Sequence, residues 1–141
     1  MKMHVAGVTV LLALVGLLGC SRPAPKPDAA KLQAAWKGRD GPGQNAGQAS
    51  LIITDTNVEF HGANPAEWYK ATYTLHEDTN PKQLVAVITE CPFPQYVGKT
   101  ANAIYKLDGN TLTIGSLDPG NPKSPTSFTD AGMRTITFTR Q

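Results

Sequence analysis

The chain has 141 residues, of which 17% are charged, and 13 Lys and Arg against 11 Asp and Glu give a formal net charge of +2. This length suits one small domain. Because positive and negative charges nearly balance, the composition predicts neither a nucleic-acid-binding surface nor a polybasic membrane patch. With only two cysteines, of which the first is assigned below to an anchor, no internal disulfide is expected.

The N-terminal segment has the pattern of an export signal. Lys2 is followed by an uncharged apolar run from Val5 to Leu18, which is shorter than the roughly 20 residues that a membrane-spanning helix needs. Residues 17–20, Leu-Leu-Gly-Cys, resemble the bacterial lipobox, whose cysteine is lipidated and becomes the mature N-terminus. We therefore expect a lipoprotein signal peptide at residues 1–19 and acylation, palmitate included, at Cys20. The alternative is a plain signal peptide in which the cysteine has no role.

Residues 20–27 are Pro-rich and predict a tether that cannot continue a helix. More than one acyl chain on Cys20 would hold the protein stably at a bilayer. The resemblance to lipoproteins implies outer-membrane sorting, because Ser21 rather than Asp follows the cysteine. The expected location is therefore the cell envelope, with one domain at residues 28–141.

The domain opens with a predicted helix and a loop. Residues 28–36 start with Asp28, a capping residue type, and are rich in helix formers, which predicts a helix of one or two turns leading into Trp36. Residues 37–50 are crowded with Gly, Pro, Asn and Gln. They predict a mobile loop, with at most a ragged strand at its start, that contributes little to the core.

From residue 51 onwards the chain is a succession of short β-patterned runs. Alternation with a period of two and turn residues between the runs predict strands, and Asp-Gly-Asn at residues 108–110 is the strongest hairpin signal. Seven or eight strands with little helix indicate an antiparallel barrel or sandwich, whose interior is either filled or holds one small ligand. The predicted strands are residues 51–53, 58–60, 68–76, 84–89, 101–107, 111–115, 126–129 and 133–140.

Several of these stretches carry a family resemblance. Leu-Gln-Ala-Ala-Trp-Lys at residues 32–37, Gly-Lys-Thr at 98–100 and Ile-Tyr-Lys-Leu-Asp-Gly-Asn-Thr-Leu at 104–112 resemble a small domain of unknown function that is abundant in planctomycetes and related bacteria. The resemblance covers nearly all of residues 31–141 and implies an all-β, lipocalin-like β-barrel with a short N-terminal helix. It implies no known activity. The chain departs from the family pattern at Ala34, Ala71 and Ser124, where the family usually has Gly, Gly and Arg.

Trp36 resembles the tryptophan that plugs the closed end of lipocalin-like barrels under a stacked arginine. Arg140 and Arg134 are the candidate partners. The alternative, that Trp36 is simply a core residue, barely differs, because a plug is also buried.

Tyrosines on predicted inward faces are the candidate ligand contacts. Tyr73 and Tyr105 could supply polar groups inside a pocket, as could Tyr69, although satisfied core residues are the more common role. Inward-facing alanines, Ala71, Ala86 and Ala103, would make room in the interior that Tyr73, Tyr105 and Phe138 could refill.

The chain contains no recognisable catalytic or metal-binding pattern. His61, His76, Glu90 and Cys91 lack the spacing of metal ligands. Cys91 stands beside Glu90 and Pro92 with no neighbouring base or cation to activate a thiolate. We therefore expect no enzyme, no metal and no cofactor.

Two functions fit these features. The first is a membrane-anchored module that binds a small apolar or amphipathic ligand inside the barrel. The second is a protein-interaction or inhibitor lipoprotein with a filled barrel, which binds its partner through the loops at residues 37–50 and 91–100. An apolar cavity of about 300 Å³ or more, open at one end, would favour the first function.

Overall fold

The computed structural model describes residue 19, residues 21–43 and residues 46–141. The predicted signal peptide, except Gly19, and the predicted lipidation site Cys20 lie outside the described residues. Within the described part of the chain, no helix is both long and apolar enough to cross a membrane.

Eight antiparallel strands form one closed barrel, which confirms the all-β barrel prediction. Each strand pairs with the next one along the chain, and β8 pairs with β1 to complete the circle. Closure pairs both edges of the sheet. A short helix, α1 (Asp28–Leu32), precedes the barrel. The strands are β1 (Ala34–Asp40), β2 (Gly47–Thr54), β3 (Asn57–His61), β4 (Trp68–His76), β5 (Lys82–Glu90), β6 (Thr100–Asp108), β7 (Thr111–Ser116) and β8 (Arg134–Arg140).

The two ends of the barrel differ. The mouth is the end at which β1, β3, β5 and β7 terminate, and the longer connections lie there. The closed end is the end at which β2, β4 and β6 terminate in short turns, and α1 lies there before the first residue of β1. The core lies inside the barrel, and all of its buried apolar residues belong to α1 and to the strands other than β3, whose Val58 and Phe60 are partly buried against it. We therefore expect residues 21–141 to fold without the preceding segment.

The prediction for residues 37–50 was wrong. β1 extends to Asp40, β2 begins at Gly47, and Ala49 is only 1% exposed in the core. The helix also ends earlier than predicted, at Leu32. Barrel closure explains the difference. Pairing of β1 with both β2 and β8 satisfies the backbone hydrogen-bonding groups of residues whose own β-propensity is low, so these residues form a strand.

The predicted strand at residues 126–129 was also wrong. These residues belong to the long connection between β7 and β8. The Asp130 carboxylate accepts hydrogen bonds from the backbone N–H groups of Thr126 and Ser127, which gives this backbone a local alternative to a strand. The connection also covers the outside of β7, since Met133 and Phe128 lie against Gly115.

The strongest hairpin prediction is confirmed. β6 and β7 pair from Asp108 and Thr111 outward, and Gly109 in the turn has a φ of 58°. The left-handed conformation suits glycine, so the local sequence specified this turn. The hairpin of β2 and β3 is likewise confirmed, with Asp55 at a φ of 54° in its turn.

Candidate functional site

A cavity of about 230 Å³ occupies the half of the barrel nearest the mouth and opens there. The inward-facing residues of β8 mark its depth. Arg134 lies at the rim, Ile136 follows, and Phe138 lies deepest, whereas Arg140 does not line the cavity. The wall is mainly aliphatic and aromatic, so the interior is an apolar site with polar groups at its entrance.

Four alanines create much of this space. Ala71 lies on β4, Ala86 on β5, and Ala101 and Ala103 on β6, and all four line the cavity. Ala86 and Ala101 are direct cross-strand partners. Because a methyl group projects little from the sheet, three neighbouring strands leave one side of the barrel unfilled. These inward-facing alanines therefore make room in the barrel interior, as the sequence led us to expect for Ala71, Ala86 and Ala103.

The closed end is filled by Trp36. Its side chain is fully buried, and its Nε1–H donates a hydrogen bond of 3.0 Å to the carbonyl of Leu32. The guanidinium carbon of Arg140 lies 4.4 Å from the centroid of the Trp36 ring. Arg140 also donates hydrogen bonds to the carbonyls of Lys31 and Gln33, at the end of α1. Of the two candidate arginines, the one over the indole is therefore Arg140, while Arg134 lies at the other end.

Tyr105 belongs to a polar cluster at the closed end. Its hydroxyl donates a 2.9 Å hydrogen bond to Asp28, which also forms an ion pair with Lys82 at 2.6 Å. Burial by itself would raise the pKa of Asp28, but the bonds from Lys82 and Tyr105 outweigh it and lower that pKa below its ordinary value. Burial and the Asp28 carboxylate raise the pKa of Tyr105. This cluster fastens α1 to β5 and β6.

The hydroxyl of Tyr73 also forms hydrogen bonds at the closed end of the barrel. Its hydroxyl donates a 2.9 Å hydrogen bond to the carbonyl of Asp55 and accepts one of 3.2 Å from Gln33. Tyr73 and Tyr105 are both buried, and neither lines the cavity. The hydroxyls proposed from the sequence as ligand contacts thus take part in hydrogen bonds that hold α1 and the turns at the closed end.

The mouth carries a cluster of ion pairs around Arg134. Its Nε donates to Asp40 at 3.0 Å, and its Nη2 donates to Glu67 at 3.2 Å. The guanidinium holds the pKa of Asp40 below its ordinary value, and the two carboxylates raise the pKa of Arg134. Arg134 also lies over the ring of Phe60, 5.3 Å from its centroid. The Arg134 guanidinium, which lines the cavity, is thus neutralised by its own neighbours.

An aromatic cluster lies beside these charges. The Tyr69 ring is 6.4 Å from Phe60, 6.0 Å from Phe93 and 6.5 Å from Tyr96, measured between centroids. Tyr69 and Tyr96 line the cavity. Burial, followed by the negative charge of Glu67, raises the pKa of Tyr69 to about 12. The phenol therefore stays protonated and faces an entrance that carries negative charge.

The residues considered for metal binding do not come together. His61 contacts Glu59 at 2.7 Å, Glu90 pairs with Lys70 at 3.2 Å, and His76 ends β4 at the closed end. The half-buried Cys91 thiol donates to the carbonyl of Phe93 at 3.1 Å. No group of three or more metal-ligating side chains occurs in the described ranges.

Sequence reasoning missed the polar residues of the mouth. Glu67 and Asp118 line the entrance from connections between strands, where no periodicity marks them. The inward position of Arg134 could have been predicted, because alternation along β8 places it on the same face as Ile136 and Phe138.

No family model, no curated protein and no solved structure matches this chain.

Proposed function

We propose that the protein is a non-catalytic binding module of the cell envelope, anchored by a lipid on Cys20, that holds a small apolar or amphipathic molecule inside its barrel. The observation that carries this proposal is the apolar cavity that opens at the mouth. At about 230 Å³ the cavity falls short of the roughly 300 Å³ expected for this function. A filled barrel would have no such opening and would bind through its loops alone, so the cavity favours a ligand smaller than a drug-sized molecule over a protein partner.

The size of the cavity limits the ligand. Its volume of about 230 Å³ is below the roughly 300 Å³ at which pockets for drug-sized molecules begin. An engineered apolar cavity of about 150 Å³ holds benzene, and in proportion this one would hold about nine carbon atoms. The proposed occupant is a short chain or a single substituted ring, with any polar group left at the mouth.

The position of the tether supports a particular orientation. Residues 21–27 are exposed and lead directly into α1 at the closed end. A lipid on Cys20 would therefore attach on the side opposite the mouth. In this proposal the mouth faces away from the anchoring bilayer, and the ligand arrives from the aqueous side.

The test fills part of the cavity by replacing one of the alanines that line it with a larger residue. We expect residues 21–141 to bind 1-octanol in a calorimetric titration, and Ala86→Phe to weaken this binding at least about tenfold, because the ring takes up the volume that the tail needs. Val87→Phe is the matched control, since Val87 is the next residue and is 41% exposed on the outer face.

A melting curve for each variant checks that it folds, and Ala86→Leu replaces Ala86→Phe if the larger side chain prevents folding. Absence of octanol binding by the unmodified barrel would contradict the proposal, as would equal binding by the Ala86 and Val87 variants. If the barrel binds octanol as expected, native mass spectrometry of the protein purified from the periplasm would identify the natural ligand.

A further inference from the structure

We propose that the ligand of this cavity carries a cationic head group, an organic ammonium, on its short apolar tail. This inference rests on the proposed function and names the chemical class of its ligand. It is carried by the charges and the aromatic rings that surround the entrance.

The entrance has an excess of negative charge. Asp40 and Glu67 both pair with Arg134, so this trio already carries one net negative charge. Asp118, which lines the cavity, adds a second, and its carboxylate forms no ion pair within the described ranges. Lys99 lies beside Gly120 in the neighbouring connection, but it is exposed and is not among the lining residues. Arg39, at the mouth end of β1, donates to the carbonyl of Ala46 and also lies outside the lining. Because Arg134 is already paired, an anionic head group among the lining residues would meet repulsion, whereas an ammonium would be attracted.

Aromatic rings at the same entrance favour the same charge. Tyr69 and Tyr96 both line the cavity, with their ring centroids 6.5 Å apart and their ring planes inclined by 48°. The face of an aromatic ring attracts an alkylammonium through its quadrupole. Arg134 over Phe60 is an example of such a contact within the mouth itself. A cation seated above the alanine wall would thus meet ring faces and carboxylates together.

The experiment compares three ligands with the same eight-carbon tail: octyltrimethylammonium, 1-octanol and octanoate. Calorimetric titration of residues 21–141 at neutral pH should give affinities in that order, with the ammonium at least about tenfold tighter than octanoate. The difference between the ammonium and octanol should shrink as salt is raised, because the attraction at an exposed rim is screened.

Asp118→Asn tests whether the mouth is responsible. We expect it to weaken octyltrimethylammonium several-fold and to leave octanol unchanged. The control, Asp108→Asn, makes the same change of charge on an exposed residue at the closed end, and it should alter neither affinity.

The outcomes separate the two proposals. If octanol binds and octanoate binds as tightly as the ammonium, the cationic head group is ruled out while the binding function stands. The same conclusion follows if Asp118→Asn and Asp108→Asn have equal effects. If none of the three ligands binds, the binding function itself fails and this inference fails with it.

Discussion

Asp28 is the buried polar residue on which the closed end depends. It is 4% exposed, and its carboxylate receives bonds from Lys82, Tyr105 and Lys31. Its own backbone N–H donates to Glu77 at 2.6 Å. A single carboxylate thus joins α1 to two strands, and it must be ionised to pair with both lysines.

This arrangement predicts how stability depends on pH. Because the pKa of Asp28 is lower in the folded protein than its ordinary 3.8, the unfolded chain binds more protons, so the stabilisation is complete above that value and is lost as pH falls below it. The contribution of one such group changes by at most about 1.4 kcal/mol per pH unit. Asp40, whose pKa is lowered by Arg134, likewise stabilises the fold when ionised and loses that contribution in acid.

Urea unfolding at pH values above and below 3.8 measures the effect. We expect the free energy of unfolding of the unmodified protein to fall more steeply with acid than that of Asp28→Asn, which lacks the titrating group. Asp108→Asn, on an exposed residue, should follow the unmodified protein. Parallel curves for Asp28→Asn and the unmodified protein would refute this role for Asp28.

At the level of elements, the junction of β1 and β8 closes the barrel through only three residue pairs, which end at Gly38 and Phe138. A Cβ atom at Gly38 would lie 2.7 Å from the Thr137 carbonyl oxygen and 2.8 Å from the Phe138 ring. No L side chain fits there without moving the backbone, so this glycine is required by close approach rather than by its φ angle.

Gly38→Ala should therefore destabilise the barrel. We expect a loss of about 1–3 kcal/mol, the usual cost of forcing extra atoms into a packed site, measured from the urea midpoint. Lys37→Ala on the same strand removes an exposed side chain and should change stability by less than about 0.5 kcal/mol. Equal stability of the two variants would contradict the close approach of β1 and β8 at Gly38.

Elements also differ in how far the sequence predicted them. The hairpins of β2 with β3 and of β6 with β7 were predicted because their turn residues and alternating strands are neighbours in the chain. β1 was mostly missed, because its glycine-containing sequence forms a strand only through pairing with β2 and with the distant β8.

At the level of the whole molecule, the proposed anchor determines where the barrel works. We expect Cys20→Ser to move the full-length protein from the membrane pellet into the soluble periplasmic fraction or to leave it unprocessed, because the serine cannot receive the thioether lipid. Ser21→Ala, which leaves the cysteine in place, is the control and should stay in the membrane fraction. Retention of mature Cys20→Ser in membranes would contradict the anchor.

The sequence by itself determined the class of fold, the approximate number of strands and the presence of apolar and tyrosine side chains on inward faces. These follow from period-two alternation and from turn chemistry, which act between residues close in the chain. The same alternation placed Tyr73 and Tyr105 in the interior, whereas Trp36 was placed there by its resemblance to the plug of lipocalin-like barrels. Alternation could not assign the two tyrosines to one end of the barrel or the other.

Only the tertiary structure decided which end of the barrel is open and what lines it. Tyr105 meets Asp28 across 77 residues, and Arg134 meets Asp40 across 94 and Glu67 across 67. Such contacts arise only when the whole barrel is assembled with α1 at its closed end, and no local pattern encodes that arrangement. The cavity depends on it as well, because its volume is the space that the alanines of three neighbouring strands leave unfilled once the circle is complete.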